Sequence, residues 1–368
     1  MNVLFAIESH PAADFWDAYT DLWSACKTKS PFQSPSYLKS LSGLFKGKLA
    51  AFKMEKKGQL MGAVLLRKEE TQVYHLLSDI KSDHNYFIFR DECTDTEIRD
   101  FYFQLFRKFK QLGGGMFLKN IPSWTRDSGA MIQEIKNCHL PHFVSTEKVC
   151  LVLKVEKPDQ VKEFFYRSKE IRDRERKIIR QLDPVFESFV GEEDLEDWLN
   201  GYFNSHIRRW ESTETPSKYQ DEEQRDVLRN AMLAWIKDQV VVRFSIRVGS
   251  HRIAYAIGLI RNKTLIHHTT SYDTDYKKYS PGKVLLITMA TWMENNGFLN
   301  LDFGEGGESY KYELTNNSLT LYNIHVSTPG KIGFVWKAKL YSLAKNTLHQ
   351  MGLSDHTKKM LSFLRLSI

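Results

Sequence analysis

Residues 240–271, VVVRFSIRVGSHRIAYAIGLIRNKTLIHHTTS, decide how the chain is read. Three runs rich in β-branched and aliphatic residues, 240–248, 252–260 and 264–271, are separated by Gly249-Ser250 and by Arg261-Asn262-Lys263. Runs of that length with such turn residues predict three antiparallel strands joined by tight turns. Downstream comes a loop to Ser280, then a helix over 281–296 stopped by Gly297, a strand over 298–303, a short helix near 307–314 and a strand over 319–326. The order is a meander followed by helix, strand, helix and strand.

Upstream of the meander the pattern turns helical. Leu195, Trp198, Leu199, Tyr202, Phe203, Ile207 and Trp210 keep the spacing of one buried face within 192–210, with His206 beside the stripe. A second helix is predicted over 222–237. Residues 164–182 read as one very charged helix, seven basic residues (Arg167, Lys169, Arg172, Arg174, Arg176, Lys177, Arg180) against three acidic ones, a net +4. It suits a solvated connector laced by i,i+4 pairs before it suits a clamp for phosphates or an acidic substrate. The first 150 residues read as a mixed α/β half: strands over 48–54, 59–67 and 72–77, a helix over 96–112 ended by Gly113-Gly114-Gly115, and a strand over 116–121.

A length of 368 residues implies more than one core, and 42% hydrophobic with 26% charged residues excludes a disordered or collagen-like chain. The net charge of +7 favours anionic partners without naming one. Cys26, Cys93, Cys138 and Cys150 contain no Cys-x-x-Cys pair, so they read as free thiols of a reducing compartment. The amino terminus lacks a secretory pattern, and the longest apolar stretch elsewhere, 284–292, is half a membrane span. A cytoplasmic location is the expectation.

The meander with helix, strand, helix and strand is similar to the core of the GCN5-related N-acetyltransferase fold. Ser280-Pro281-Gly282 opening the helix, Leu301-Asp302-Phe303-Gly304 closing the strand and Tyr310-Lys311 after it resemble the acyltransferase family of the Fem peptidoglycan transferases and the cellulose-locus proteins. The likeness extends to Pro31-Phe32-Gln33-Ser34-Pro35, to the basic helix and to Arg209-Trp210. It implies an α/β (α+β) chain with two tandem acyltransferase-like domains, mixed and mostly antiparallel sheets flanked by helices. The expected boundaries are 1–155, lacking a donor loop, 156–330, carrying the acyltransferase site, and 331–368, a basic amphipathic tail.

Acyl transfer from a thioester to an amine needs a grip on the donor's phosphates, a polarised carbonyl, a neutral amine and a proton for the leaving thiolate. Ser280 can cap the helix behind Pro281, leaving the N–H groups of Gly282, Lys283 and Val284 for an anion, with Lys277 and Lys278 adjacent. The same residues suit a plain helix start. Asp302 falls at its strand's carboxyl end, where open α/β sheets place ligands, as base or anchor for the acceptor amine, or as a cap on the next turn. Tyr310 is the candidate acid, and a hydrogen-bonded phenol can approach a thiol's pKa. Lys311 can polarise the carbonyl, bind phosphate, or pair with Glu308; the resemblance implies a place at the acyl-transfer centre. His267 and His268 are expected on opposite sides of their strand, and His268, Asp273 and Glu305 are the candidates for the acceptor site.

No Ser-His-Asp order, His-Glu-x-x-His, Walker loop or Gly-x-Gly-x-x-Gly is present, so no metal is required and hydrolase or dinucleotide chemistry lacks a motif. Residues 331–368 carry seven basic residues against Asp355, a net +6, interleaved with Phe334, Trp336, Leu340, Leu343 and further leucines. This fits helices packed on the body or lying on an acidic membrane surface. The expected activity is N-acyl transfer, from acetyl-CoA or another acyl-CoA, to an amine of a sugar or cell-envelope precursor. The alternatives are a Fem-type transfer from aminoacyl-tRNA and a noncatalytic module for an acidic ligand or membrane surface.

Overall fold

Alternating apolar residues on either side of Lys57-Gly58 fold back on one another as an antiparallel hairpin, Phe52 opposite Val64 and Met54 opposite Gly62. In the computed structural model, which describes residues 3–8, 11–45, 48–79, 82–211 and 213–350, that hairpin is part of a longer series. The order begins β1 (Val3–Glu8), α1 (Ala13–Ser24), α2 (Pro35–Leu44), β2 (Leu49–Lys56), β3 (Gln59–Lys68), β4 (Val73–Leu76), β5 (Ile88–Phe89), α3 (Asp95–Leu112), β6 (Gly115–Pro122), α4 (Ser128–Asn137) and β7 (His142–Lys154). It continues with α5 (Asp159–Tyr166), α6 (Lys169–Leu182), β8 (Val185–Phe189), α7 (Leu195–Trp210), α8 (Glu222–Lys237), β9 (Val241–Val248), β10 (His251–Arg261) and β11 (Thr264–Tyr272). The last elements are α9 (Pro281–Asn295), β12 (Asn300–Glu305), α10 (Ser309–Glu313), β13 (Asn317–Ser327) and α11 (Ile332–Gln350).

The chain divides into two units, one of residues 1–35, 41–149 and 319–368, the other of 36–40 and 150–318. In the first, β1 to β4 pair antiparallel in succession, β6 joins β4 in parallel, and β13 closes antiparallel on β6. Helix α3 lays Ile98, Phe101, Tyr102, Leu105, Phe106 and Phe109 onto that sheet, each fully buried, among Phe52, Val64, Leu66, Tyr74 and Met116. Burial of each such side chain contributes about 1.5–3 kcal/mol. The start of α3 is closed by its own residues: the Thr94 hydroxyl accepts the Glu97 N–H, and the Glu97 carboxylate accepts the Thr94 N–H.

The second unit repeats that order. β8, β9, β10 and β11 pair antiparallel, β12 joins β11 in parallel, and the end of β7 closes antiparallel on β12. Alternation along β10 sorts the two faces. Ala254 and Ala256 point to a core with α5, α6 and α9, whereas Tyr255 between them meets Trp198 and Tyr202 of α7. Helix α9 buries Val284, Leu285, Leu286, Ile287, Met289, Ala290 and Met293, apolar all round, as a helix inside a core should be.

Several elements depart from the sequence reading. The single charged helix over 164–182 is two helices, because Ser168 turns extended and accepts the Ile171 N–H as the cap of α6. β1, β5, β7, β8, α1, α2 and α4 are additional. The described part of the expected separate tail is one helix, α11, grouped with the first unit; Asp355, Lys358, Lys359, Leu361, Phe363, Leu364, Arg365 and Leu366 lie outside the described residues. All four cysteines are buried and free.

Candidate active site

β11 and β12 hold together over only three rungs, Thr264 with Asn300, Leu265 with Leu301 and Ile266 with Asp302. Both strands continue, to Tyr272 and Glu305, without a further rung between them among the described residues. Each is irregular just past the last rung. In β11, Gly258 faces His267 and Ile257 faces Thr269, so His268 is an extra residue. In β12, Asp302 faces Val152 but Glu305 faces Cys150, and Gly304 adopts φ +70°. Bulges bend the strands that carry them, and two at one level turn β11 and β12 apart at their carboxyl ends. That is where open α/β sheets take ligands.

Helix α9 starts at the end of β11. Ser280 occupies the N-cap position, as expected, but its left-handed backbone (φ +51°) leaves the hydroxyl without a capping bond. Its carbonyl instead accepts the N–H groups of Lys283 (2.9 Å) and Val284 (3.3 Å). Two of the three amides expected to face an anion are therefore engaged within the helix, and Gly282 alone keeps that role. A Cβ added to Gly282 would meet only the Tyr272 ring, at 3.7 Å, so there is room in front of it. Lys283 is held by Glu170 of α6 at 2.7 Å. Around this opening Arg174 donates to the Lys278 carbonyl (2.8 Å), Lys177 and Lys278 lie over the Tyr279 ring, and Arg209 lies 4.6 Å over Tyr272. The basic helix thus presents Arg174 and Lys177 to the start of α9.

Asp302 differs from the expected proton acceptor. It is fully buried, pairs with Arg261 at 3.1 Å, and accepts the Gly304 N–H (2.8 Å) and the Cys150 thiol (2.9 Å). A carboxylate so engaged fixes the bulge and the last rung; it is a positioning residue. Lys311 is not a surface residue but is buried, its ammonium between the Glu308 carboxylate (2.9 Å) and the Glu305 carbonyl at the end of β12 (3.1 Å). Burial raises the Glu308 carboxyl, yet Lys311 holds it below its ordinary pKa. Tyr310, next to it, is exposed, and desolvation raises its phenol above the ordinary value instead of lowering it toward a thiol's.

The acceptor-site candidates separate. His268, the bulge residue, packs its ring edge-on against Trp235 of α8 at 5.6 Å, while His267 meets Phe303 on the α9 side. The two rings lie on opposite sides of the strand, and both are half-buried. Asp273 is buried and committed: it accepts from His251 (2.8 Å), Arg208 (3.3 Å) and the Asp275 N–H (3.1 Å). Burial alone would raise it, and those partners hold it below the usual carboxylate range. It braces the turn into α9. Glu305 is the last residue of β12 and is half-buried. Arg208 is absent from the sequence reading, which takes Arg261 only as a turn residue, Cys150 only as a free thiol and Arg174 only as one of the cations of the basic helix; their partners lie far along the chain and carry no local signal.

The order of strands and helices in the second unit is that of the GCN5-related N-acetyltransferase fold. Residues 166–312 match the family model described as the acetyltransferase (GNAT) domain. It is similar in fold to FemX, at 8% identity over 93% of this chain and 99% of that one, with a TM-score of 0.61. It is also similar to the C-terminal DUF2156 domain of a candidate lysylphosphatidylglycerol synthetase from Agrobacterium fabrum, at 9% identity over 88% of this chain and 95% of that one (TM-score 0.58). A conserved protein from Bacteroides thetaiotaomicron gives 10% identity over 88% and 100%, with a TM-score of 0.58. No curated protein matches by sequence. These likenesses are of fold.

Proposed function

We propose that the second unit transfers an acyl group, with acetyl-CoA as donor, to an amine of a sugar or cell-envelope precursor. One observation carries this reading: β11 and β12 part at paired bulges directly beside a helix start that no side chain caps. A phosphate-bearing donor fits the residues there, since Gly282 offers an amide with space before it and Arg174, Lys277, Lys278 and Arg209 surround it with positive charge. α3 in the first unit makes the contrast, its start filled by the Glu97 carboxylate and so unsuited to an anion.

In the transfer the amine attacks the thioester carbonyl, a C–N bond forms, the C–S bond breaks, the amine gives up a proton to solvent water and the thiolate gains one. Tyr310, protonated at neutral pH, supplies the thiolate's proton, and Glu305 at the end of β12 holds the acceptor. Lys311 fixes the turn between β12 and Tyr310, and Asp302 holds the strands apart. A second reading, an aminoacyl donor of the Fem type, draws support from the cations of α6, which suit a larger anionic donor.

Isothermal titration with acetyl-CoA tests the donor. Binding that Gly282→Leu weakens more than tenfold, with an unchanged melting curve, is expected; absence of binding at millimolar donor would turn the reading to the aminoacyl alternative. Acetyl-CoA binding with no turnover of any amine acceptor would leave a noncatalytic module, and binding and activity that Gly282→Leu and Tyr310→Phe both retain would overturn the site.

A further inference from the structure

Helix α11 has two apolar faces, and the body covers one. Val335 and Ala338 are buried, Phe334 packs near His325 of β13, and Glu147 of β7 accepts from Ser342, from Lys345 at 3.0 Å and from Asn346 at 3.3 Å. On the far side Ile332, Trp336, Leu340 and Leu343 are 47%, 54%, 56% and 55% exposed. Their spacing of four, four and three residues keeps them in one stripe, roughly 80° wide at about 100° per residue. Lys337 borders the stripe on one side and Lys339 on the other, both exposed, with Lys331 at its beginning, and 332–350 contains no acidic residue.

We propose that this stripe docks on an anionic lipid surface, with Trp336 at the headgroup boundary and the flanking lysines against lipid phosphates. Apolar anchors between lysines on a helix lying along the body match an interfacial helix in both shape and charge. No helix of the described residues is long and apolar enough to cross a membrane, so the contact is peripheral. A second copy meeting the stripe would bring lysines against lysines with no carboxylate on either helix. Covering by residues 351–368 would add Lys358, Lys359 and Arg365 to the same charge. An anionic sheet of headgroups complements it.

The full chain is floated with phosphatidylcholine vesicles containing or lacking phosphatidylglycerol. It is expected to rise with the anionic vesicles and to remain below with the neutral ones. Lys337→Gln/Lys339→Gln, which removes the contact of Lys339 over the Trp336 ring (5.4 Å) but no buried side chain, lowers partitioning by about thirtyfold, and Trp336→Glu/Leu340→Glu lowers it further, with melting unchanged. Absence of flotation, or flotation that both variants retain, overturns the proposal. So does a dimer in sedimentation velocity that Trp336→Glu/Leu340→Glu converts to monomer, or a chain ending at Gln350 that floats where the full chain does not.

Discussion

Asp302 shows how one residue's surroundings decide its use. A carboxylate at a strand's end is chemically able to take a proton from an amine, but full burial against Arg261, with the Gly304 N–H and the Cys150 thiol on its other oxygen, removes it from that task. Asp302→Asn keeps the Gly304 contact and leaves Arg261 without its counter-charge, a loss of about 3 kcal/mol for a broken buried pair. The melting temperature should fall by about 6–12 °C on that account, measured by circular dichroism. An unchanged melt with activity abolished would restore Asp302 as the base. Tyr310 makes the opposite case: exposed, with nothing packed that depends on its hydroxyl, Tyr310→Phe should leave stability intact and reduce kcat by about 10²–10⁴-fold in a thiol-release assay. Its sequence position next to Lys311 marked it, whereas the burial of Lys311 came from contacts that no local pattern shows.

Among the elements, β12 and α9 hold the main interest. β12 bends because Gly304 sits at φ +70°, a conformation costing an L side chain about 1–2 kcal/mol. Gly304→Ala should either cost that stability or straighten β12, and the second outcome would extend the pairing with β11 and close the opening; hydrogen exchange of the Phe303–Glu305 amides distinguishes them. α9 could be read as a buried helix from its continuous apolar run, and Pro281 marked its first turn. The left-handed Ser280 was not readable, because a serine before a proline normally takes the extended, capping conformation. The charged stretch over 164–182 reads as one helix because its opposite charges fall at i,i+4 spacing; the break at Ser168 comes from a side-chain cap, a single hydrogen bond in an otherwise helical run.

At the scale of the whole molecule, acidity should act through the first unit. His325 lies against Phe117 (ring centroids 4.4 Å apart) and near Phe334, and burial, with His75 nearby, pushes its pKa down to about 4. The unfolded chain protonates this histidine near pH 6.5, before the folded one does. Its contribution is therefore complete above pH 6.5 and is lost as pH falls toward 4, by about 3 kcal/mol in all. Urea titrations across that window should show the decline, and His325→Phe should flatten it. The meander, the helix after it and the existence of the strand that follows were determined by sequence alone, since period-two and period-3.6 apolar patterns are local and each matched its element to within a few residues; that this strand pairs in parallel with β11 was not. The repeated order in the first unit, the closing strands β7 and β13, and the conversion of Asp302, Asp273 and Lys311 from exposed chemistry to buried struts were decided only by tertiary structure. Whether a charged side chain is free to react depends on which distant residue meets it, and Arg261, Arg208, His251 and Glu308 reach their partners only when the chain is folded.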